Sequence, residues 1–107
     1  MPDNQIVLFA SGVGANTYAP TVWLARPEVS FGYQVGIADA ASVNTAFRQA
    51  SFVAAMIGQY TADLSGNDTL DNGDIPTFEN NFKSALSNTF KNQLAASSPY
   101  LYFMGQI

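Results

Sequence analysis

The sequence contains no cysteine and no histidine, and each absence removes a class of chemistry. Without thiolate or imidazole groups the chain lacks the usual zinc ligands, a cysteine nucleophile and a histidine base. Serines such as Ser11 and Ser51 have no base beside them in the sequence, and the acidic residues crowd one loop instead of forming an acid/base pair. We therefore predict a protein that is not an enzyme and binds no cofactor.

Charge is also scarce, because charged residues make up 11% of the chain and apolar residues 48%. The net charge is -4, and the cations are Arg26, Arg48, Lys83 and Lys91. Such a surface has no basic stripe for phosphates, and the N-terminal apolar run is too short for a signal peptide or a membrane span. We therefore expect a soluble chain without nucleic-acid or membrane partners, whose exposed carbon is covered by other proteins.

The longest helical signal runs from Asp39 to Leu64, with Asp39 as the predicted N-cap. Apolar residues recur along it at helical spacing and form one apolar stripe, which Phe52 and Met56 widen. What remains polar is a narrow line formed by Asn44, Arg48, Ser51, Gln59 and Asp63. A helix with so little polar surface should be covered on most sides, either by the core of its own chain or partly by a second copy.

The rest of the chain predicts a second helix and short strands. An amphipathic pattern begins at Pro76 or Thr77, after a polar loop. Strand patterns cover Gln5–Ala10, the alternating residues from Phe31 to Val35, and Tyr100–Met104. We predict one α+β domain over residues 1–107, with a helical hairpin at about 40–64 and 76–95 and short N-terminal and C-terminal strands, completed by oligomerisation.

The loop Asp68–Glu79 can be aligned with the twelve-residue calcium loop of an EF-hand. The alignment fails at Leu70, which has no side-chain oxygen, and at Pro76, which changes the backbone near the exit helix. We therefore predict no metal site and keep a calcium-binding helix-loop-helix module as the alternative function. Its weak candidate ligands are Asp68, Asn72, Asp74 and Glu79.

Six short motifs occur together in this sequence. They are FASGVGAN at 9–16, GYQVG at 32–36, the pair Val43 and Asn44, RQAS at 48–51, GQYTAD at 58–63 and DNGD at 71–74. In this order and spacing the chain resembles the N-terminal attachment region of tail-fibre proteins from tailed bacteriophages and prophages. The resemblance implies a virion structural module, commonly a trimer, that fixes a fibre or fibre adaptor to the tail or baseplate.

The same resemblance implies localisation in the virion tail after assembly in the host cytoplasm, with other tail, baseplate or fibre proteins as partners. In the family this region precedes a fibre shaft and a receptor-binding tip, whereas this sequence stops at Ile107. We therefore expect either a short stand-alone component or a shaft that belongs to a separate chain, which residues 100–104 would join by strand addition.

Large apolar side chains are the predicted contact residues. Those expected on the docking surface are Phe9, Trp23, Phe31 and Tyr33. Those expected between copies of the chain are Phe52, Met56 and Tyr60. For Arg48 two interpretations stay open, an interface arginine that meets a carboxylate or carbonyl and a surface arginine that extends its head group to water.

Overall fold

The computed structural model describes residues 2–97, and helices make up most of this range. The four helices are α1 (Pro20–Leu24), α2 (Pro27–Phe31), α3 (Ala40–Ser65) and α4 (Ile75–Ser97). Both short helices start at a proline, whose fixed φ suits the first helical position. The prolines therefore restrict the passage before α3 to short helical pieces.

The chain divides into two compact units. One unit is Val7–Ala54, and the other combines Met1–Ile6 with Ala55–Ile107. The division falls inside α3. The single-domain assignment stays a prediction.

The predicted α+β class is wrong, because residues 2–97 form no β-sheet. The only β-type pairing in this range is one parallel bridge between Asn4 and Thr69. In the predicted strand Gln5–Ala10, the Gln5 amide donates to the Thr69 carbonyl at 2.9 Å beside this bridge, but the amides of Ile6 and Phe9 donate to side chains, so the pairing does not continue as a ladder. The predicted strand that starts at Phe31 is absent as well, since Phe31 closes α2. The predicted strand at residues 100–104 lies outside the described residues.

The helical hairpin is present in the unit that contains residues 55–97. Ala62 of α3 and Ala85 of α4 are completely buried. The rings of Tyr60 and Phe82 meet edge to face with their centroids 6.1 Å apart, and the Tyr60 hydroxyl bonds to Thr89 of α4. Small side chains thus occupy buried positions of the hairpin, and the larger side chains of Tyr60 and Phe82 make further contacts between its two helices.

The helix boundaries of the hairpin follow from local chemistry. Gly66, with φ 79°, follows the end of α3, and its amide donates to the Ala62 carbonyl at 3.2 Å. Asp74 caps α4, since its Oδ1 accepts from the Thr77 amide at 3.2 Å. The helix begins at Ile75, one residue before the predicted start, so the preference of a residue before proline for extended backbone is overridden here.

Candidate interaction surface

In the unit 7–54, the segment before α1 follows the polar side chains of α3. The Phe9 amide donates to Ser51 Oγ at 2.8 Å, and the Tyr18 amide donates to Thr45 Oγ1 at 2.9 Å. Thr45 is completely buried. These hydroxyls therefore supply acceptors to backbone amides that pair with no strand within residues 7–54.

Two further side chains of the polar line bind the same segment. Arg48 is half-buried, and its Nη1 donates to Thr17 Oγ1 at 2.8 Å, while Nη2 lies 3.5 Å from the Tyr18 carbonyl. Asn44 Nδ2 donates to the Asn16 carbonyl at 3.1 Å. Arg48 therefore does meet a carbonyl, but one of its own chain. A role for it at an interface stays a prediction.

The large apolar side chains in the middle of α3 are exposed instead. Phe47, Phe52 and Val53 are 55%, 63% and 52% exposed. Phe9 packs edge to face on Phe47, with the ring centroids 5.7 Å apart, and is itself exposed. The usual arrangement of a surface helix is reversed here, because the polar residues bind the chain and the apolar residues meet water.

An open groove of about 840 Å³ lies between this face of α3 and the segment before it. Its apolar lining residues include Leu8, Pro20, Phe52 and Val53, and its polar ones include Thr17, Arg48 and Gln49. The Arg48 guanidinium in this lining is already hydrogen-bonded to Thr17. Exposed apolar and aromatic side chains beside polar groups are also the composition of a protein-protein contact site. We call this region, together with Phe9 and Phe47, the α3 groove.

A polar cluster in the same unit joins α2 to the start of α3. Ser42 is completely buried, and its Oγ donates to Glu28 Oε2 at 2.5 Å. The Tyr33 hydroxyl lies 2.8 Å from the same Oγ, and Arg26 pairs with Glu28 at 3.2 Å and with Asp39 at 3.5 Å. The hydrogen bond from Ser42 holds the pKa of Glu28 below its ordinary value, with a smaller contribution from Arg26. Because the hydroxyl is buried and bonded, this cluster positions helices and presents no nucleophile.

The sequence interpretation missed the role of Ser42 and Thr45 in holding these elements together. Together with Arg48 they recur every three residues, which places them along one side of a helix. This spacing was the signal that could have identified them. It was overlooked because small hydroxyl residues also occur within apolar faces, where they bond to their own helix.

The structure places the predicted contact residues in different surroundings. Those exposed to solvent are Phe9, Phe31, Tyr33, Phe52 and Met56. Trp23 and Tyr60 are half-buried, and Tyr60 contributes to the hairpin through Phe82 and Thr89. Within the unit 7–54, Phe9 and Phe52 both belong to the α3 groove.

The four weak candidates for a calcium site each have a partner within the chain. Asp68 Oδ1 accepts from the Asp3 amide at 2.7 Å, and Asn72 Oδ1 accepts from the Asp74 amide at 3.0 Å. Asp74 caps α4, and Glu79 pairs with the lysine one turn later at 3.1 Å. Among residues 2–97, no group of three or more acidic, histidine or cysteine side chains is placed to hold a metal ion. The loop chemistry seen here is helix capping.

The Asp74 cap predicts a dependence of stability on pH. The hydrogen bond from the Thr77 hydroxyl, followed by that from the Thr77 amide, holds the pKa of Asp74 below its ordinary value of 3.8. A folded-state pKa below the unfolded one stabilises the protein above the unfolded pKa, and this contribution is lost as the pH falls through the folded pKa. We expect Thr77→Val to raise the Asp74 pKa and to reduce stability at neutral pH more than at pH 3.

The measurement is a carboxyl NMR titration of Asp74 combined with urea denaturation at both pH values. Ser87→Ala, a change at an exposed hydroxyl of the same helix, is the control and should leave both quantities unchanged. An Asp74 pKa that is identical in Thr77→Val and in the unsubstituted chain would contradict the assignment.

Within the described range, no helix is both long enough and apolar enough to cross a lipid bilayer. Comparison of the chain with protein-family models, with curated proteins and with solved structures finds no match. What the fold and the site define is thus a helical protein with a helical hairpin in one unit and an exposed apolar groove in the other.

Proposed function

We propose that this chain is a non-enzymatic structural protein that joins other proteins through the α3 groove. The observation that carries the proposal is the exposure of Phe47, Phe52 and Val53 on a helix whose polar side chains bind its own chain. Each square ångström of apolar surface removed from water stabilises a complex by about 25 cal/mol. Aromatic side chains in a preformed groove also lose little conformational entropy on binding.

We further propose that the joined proteins belong to a phage tail, and that the chain attaches a tail fibre or fibre adaptor to the tail or baseplate as a homotrimer in the virion. This placement rests on the resemblance of the sequence to tail-fibre attachment regions. Two of the motifs that carry the resemblance, at 9–16 and 48–51, belong to the α3 groove and are joined by the bond between Phe9 and Ser51. The proposed contact surface and the resemblance therefore depend on the same residues.

The direct test compares Phe52→Ser with Phe90→Ser in phage particles produced by the genome that encodes the chain. The two phenylalanines are 63% and 65% exposed, but Phe90 lies on α4, in the other unit. A central aromatic contact contributes about 2 kcal/mol or more, which corresponds to about thirtyfold weaker binding. We expect particles with Phe52→Ser to lose fibres in electron micrographs and to lose infectivity, and particles with Phe90→Ser to keep both.

A second measurement tests the placement in the tail and the assembly state. Antibody raised against the purified chain should label the tail of intact particles, and the purified chain should have a trimer mass in light scattering that is the same in chelator and in calcium. Absence of the chain from purified particles would contradict the phage placement. A mass that changes only on addition of calcium would favour the calcium-binding alternative.

A further inference from the structure

We propose that residues 33–38 contain a self-pairing strand, in which residues 33–37 join antiparallel to residues 33–37 of a second copy of the chain around a two-fold axis at Val35. We call these residues the 33–38 segment; their sequence is YQVGIA. This inference is independent of the α3 groove. It assigns Tyr33 to a contact between copies and not to the docking surface.

The first observation is that the 33–38 segment is exposed along its whole length and has no backbone partner. Val35 and Ile37 are 108% and 103% exposed. Within residues 2–97, no backbone amide or carbonyl of the segment makes a hydrogen bond. A row of unpaired amides and carbonyls beside apolar side chains is a template for pairing with another extended chain.

The second observation is that both ends of the segment are held. On one side, the Gly32 amide donates to the Glu28 carbonyl at 2.8 Å, and the Tyr33 hydroxyl bonds to buried Ser42. On the other side, Asp39 caps α3 by accepting from the Ala41 amide at 3.1 Å. Because the ends are fixed, pairing orders only a few residues and its entropic cost is reduced.

The third observation, and the one that identifies the partner, is that the pattern is complementary to itself. With Val35 on the axis, Val35 faces Val35 of the second copy, and Tyr33 faces Ile37. Aromatic and β-branched pairs of this kind stabilise antiparallel strands. All three positions lie on one face of the strand, and the segment carries no charge that would oppose itself. A two-fold axis makes the contact the same for both copies.

The opposite face of the paired strands offers no obstacle. It carries Gln34 opposite Gly36, so bulky groups are absent there. Gly36 has φ 134° and must rotate to reach a strand conformation, which glycine does without a steric penalty. The sequence pattern predicted a strand in this region, and the single chain does not form one because it offers no second strand.

The test uses the absence of cysteine from the chain, since an introduced thiol is then the only one present. Val35→Cys places thiols opposite each other on the axis, whereas Val13→Cys places one at a comparably exposed valine of the same unit, 111% exposed. We expect the first variant to form disulfide-linked dimers about tenfold faster than the second, since pairing raises the local thiol concentration. Equal rates would overturn the proposal.

A charge exchange at the axis gives a second readout. Val35→Lys and Val35→Glu each place like charges opposite one another and should not pair through this contact, while their equimolar mixture should pair. Because a ribbon of two strands is only marginally stable, masses are compared by light scattering at about millimolar concentration. A mixture that is no heavier than its components would overturn the proposal.

The control for folding and for the α3 groove uses the same variants. The exposed position of Val35 means that far-ultraviolet circular dichroism should be unchanged by either charge. Phe52→Ser combined with Val35→Cys should keep the fast disulfide rate, since the two surfaces are separate. The disulfide rate tests the 33–38 segment, and fibre attachment tests the α3 groove. The two proposals can therefore fail separately, and the readout that fails shows which one is wrong.

Discussion

Replacing Gly58 with alanine should destabilise the protein by about 1 kcal/mol, although alanine favours an exposed helix interior by about that amount over glycine. Gly58 is buried in α3, and a Cβ at this position would lie 2.5 Å from Asn4 Oδ1. Asn4 Nδ2 donates to the Ala55 carbonyl at 3.0 Å, and its Oδ1 accepts from the Ile6 amide at 3.0 Å. The added methyl group displaces this side chain, so both bonds are lost.

The decisive measurement is a double-mutant cycle by urea denaturation of Gly58→Ala, Asn4→Ala and the combined variant. With Asn4 truncated, the alanine no longer meets the amide, so the helix preference returns and Gly58→Ala should stabilise by about 1 kcal/mol. The change of sign between the two backgrounds is the prediction. A substitution that stabilises equally in both backgrounds would show that Asn4 does not require the glycine.

Replacing Ala85 with leucine should have the largest effect in the hairpin, a loss of about 1–3 kcal/mol. Ala85 is completely buried on α4, in the unit that holds the hairpin. The three added carbon atoms must move the helices apart or adopt strained rotamers. If the helices move apart, the edge-to-face contact between Tyr60 and Phe82 in the same hairpin should weaken as well.

Ala95→Leu is the matched control, since it is the same substitution at an exposed position of the same helix. Leucine and alanine have similar helix propensities, so the control should change stability by less than about 0.5 kcal/mol. The measurement is urea denaturation monitored by circular dichroism. The dependence of the unfolding free energy on urea concentration should be the same for both variants, so that the midpoints report stability. Equal midpoints for the two variants would show that α4 does not pack at Ala85 as described.

The long helices were predictable because their signals are local. Asp39 and Asp74 mark helix starts, and apolar residues recur at helical spacing through α3 and α4. The strand predictions failed for a nonlocal reason. β-branched and alternating residues at 5–10 and 31–35 are suited to a sheet, but a strand needs a second strand, and propensity cannot supply one.

The candidate site was predictable in composition but not in arrangement. The excess of exposed apolar surface follows from the low charge, and Phe9 and Phe52, which the sequence predicts as contact residues, are both exposed. The sequence did not predict that the polar line of α3 binds the preceding segment of the chain. The periodicity of a helix shows which residues share a face and not what that face contacts. The hydroxyls of Ser51 and Thr45 accept hydrogen bonds from backbone amides that lie 42 and 27 residues away in the chain.

The sequence alone determined the scarcity of charge, the absence of thiol and imidazole chemistry, and the position of the two long helices. These properties depend on composition and on interactions within a few residues. The tertiary structure alone decided that polar residues of α3 bind the N-terminal segment, that Gly58 makes room for Asn4, and that the 33–38 segment has no backbone hydrogen-bond partner among residues 2–97. Each of these depends on which distant segments meet, and that is set by packing and hydrogen-bond satisfaction over the folded unit.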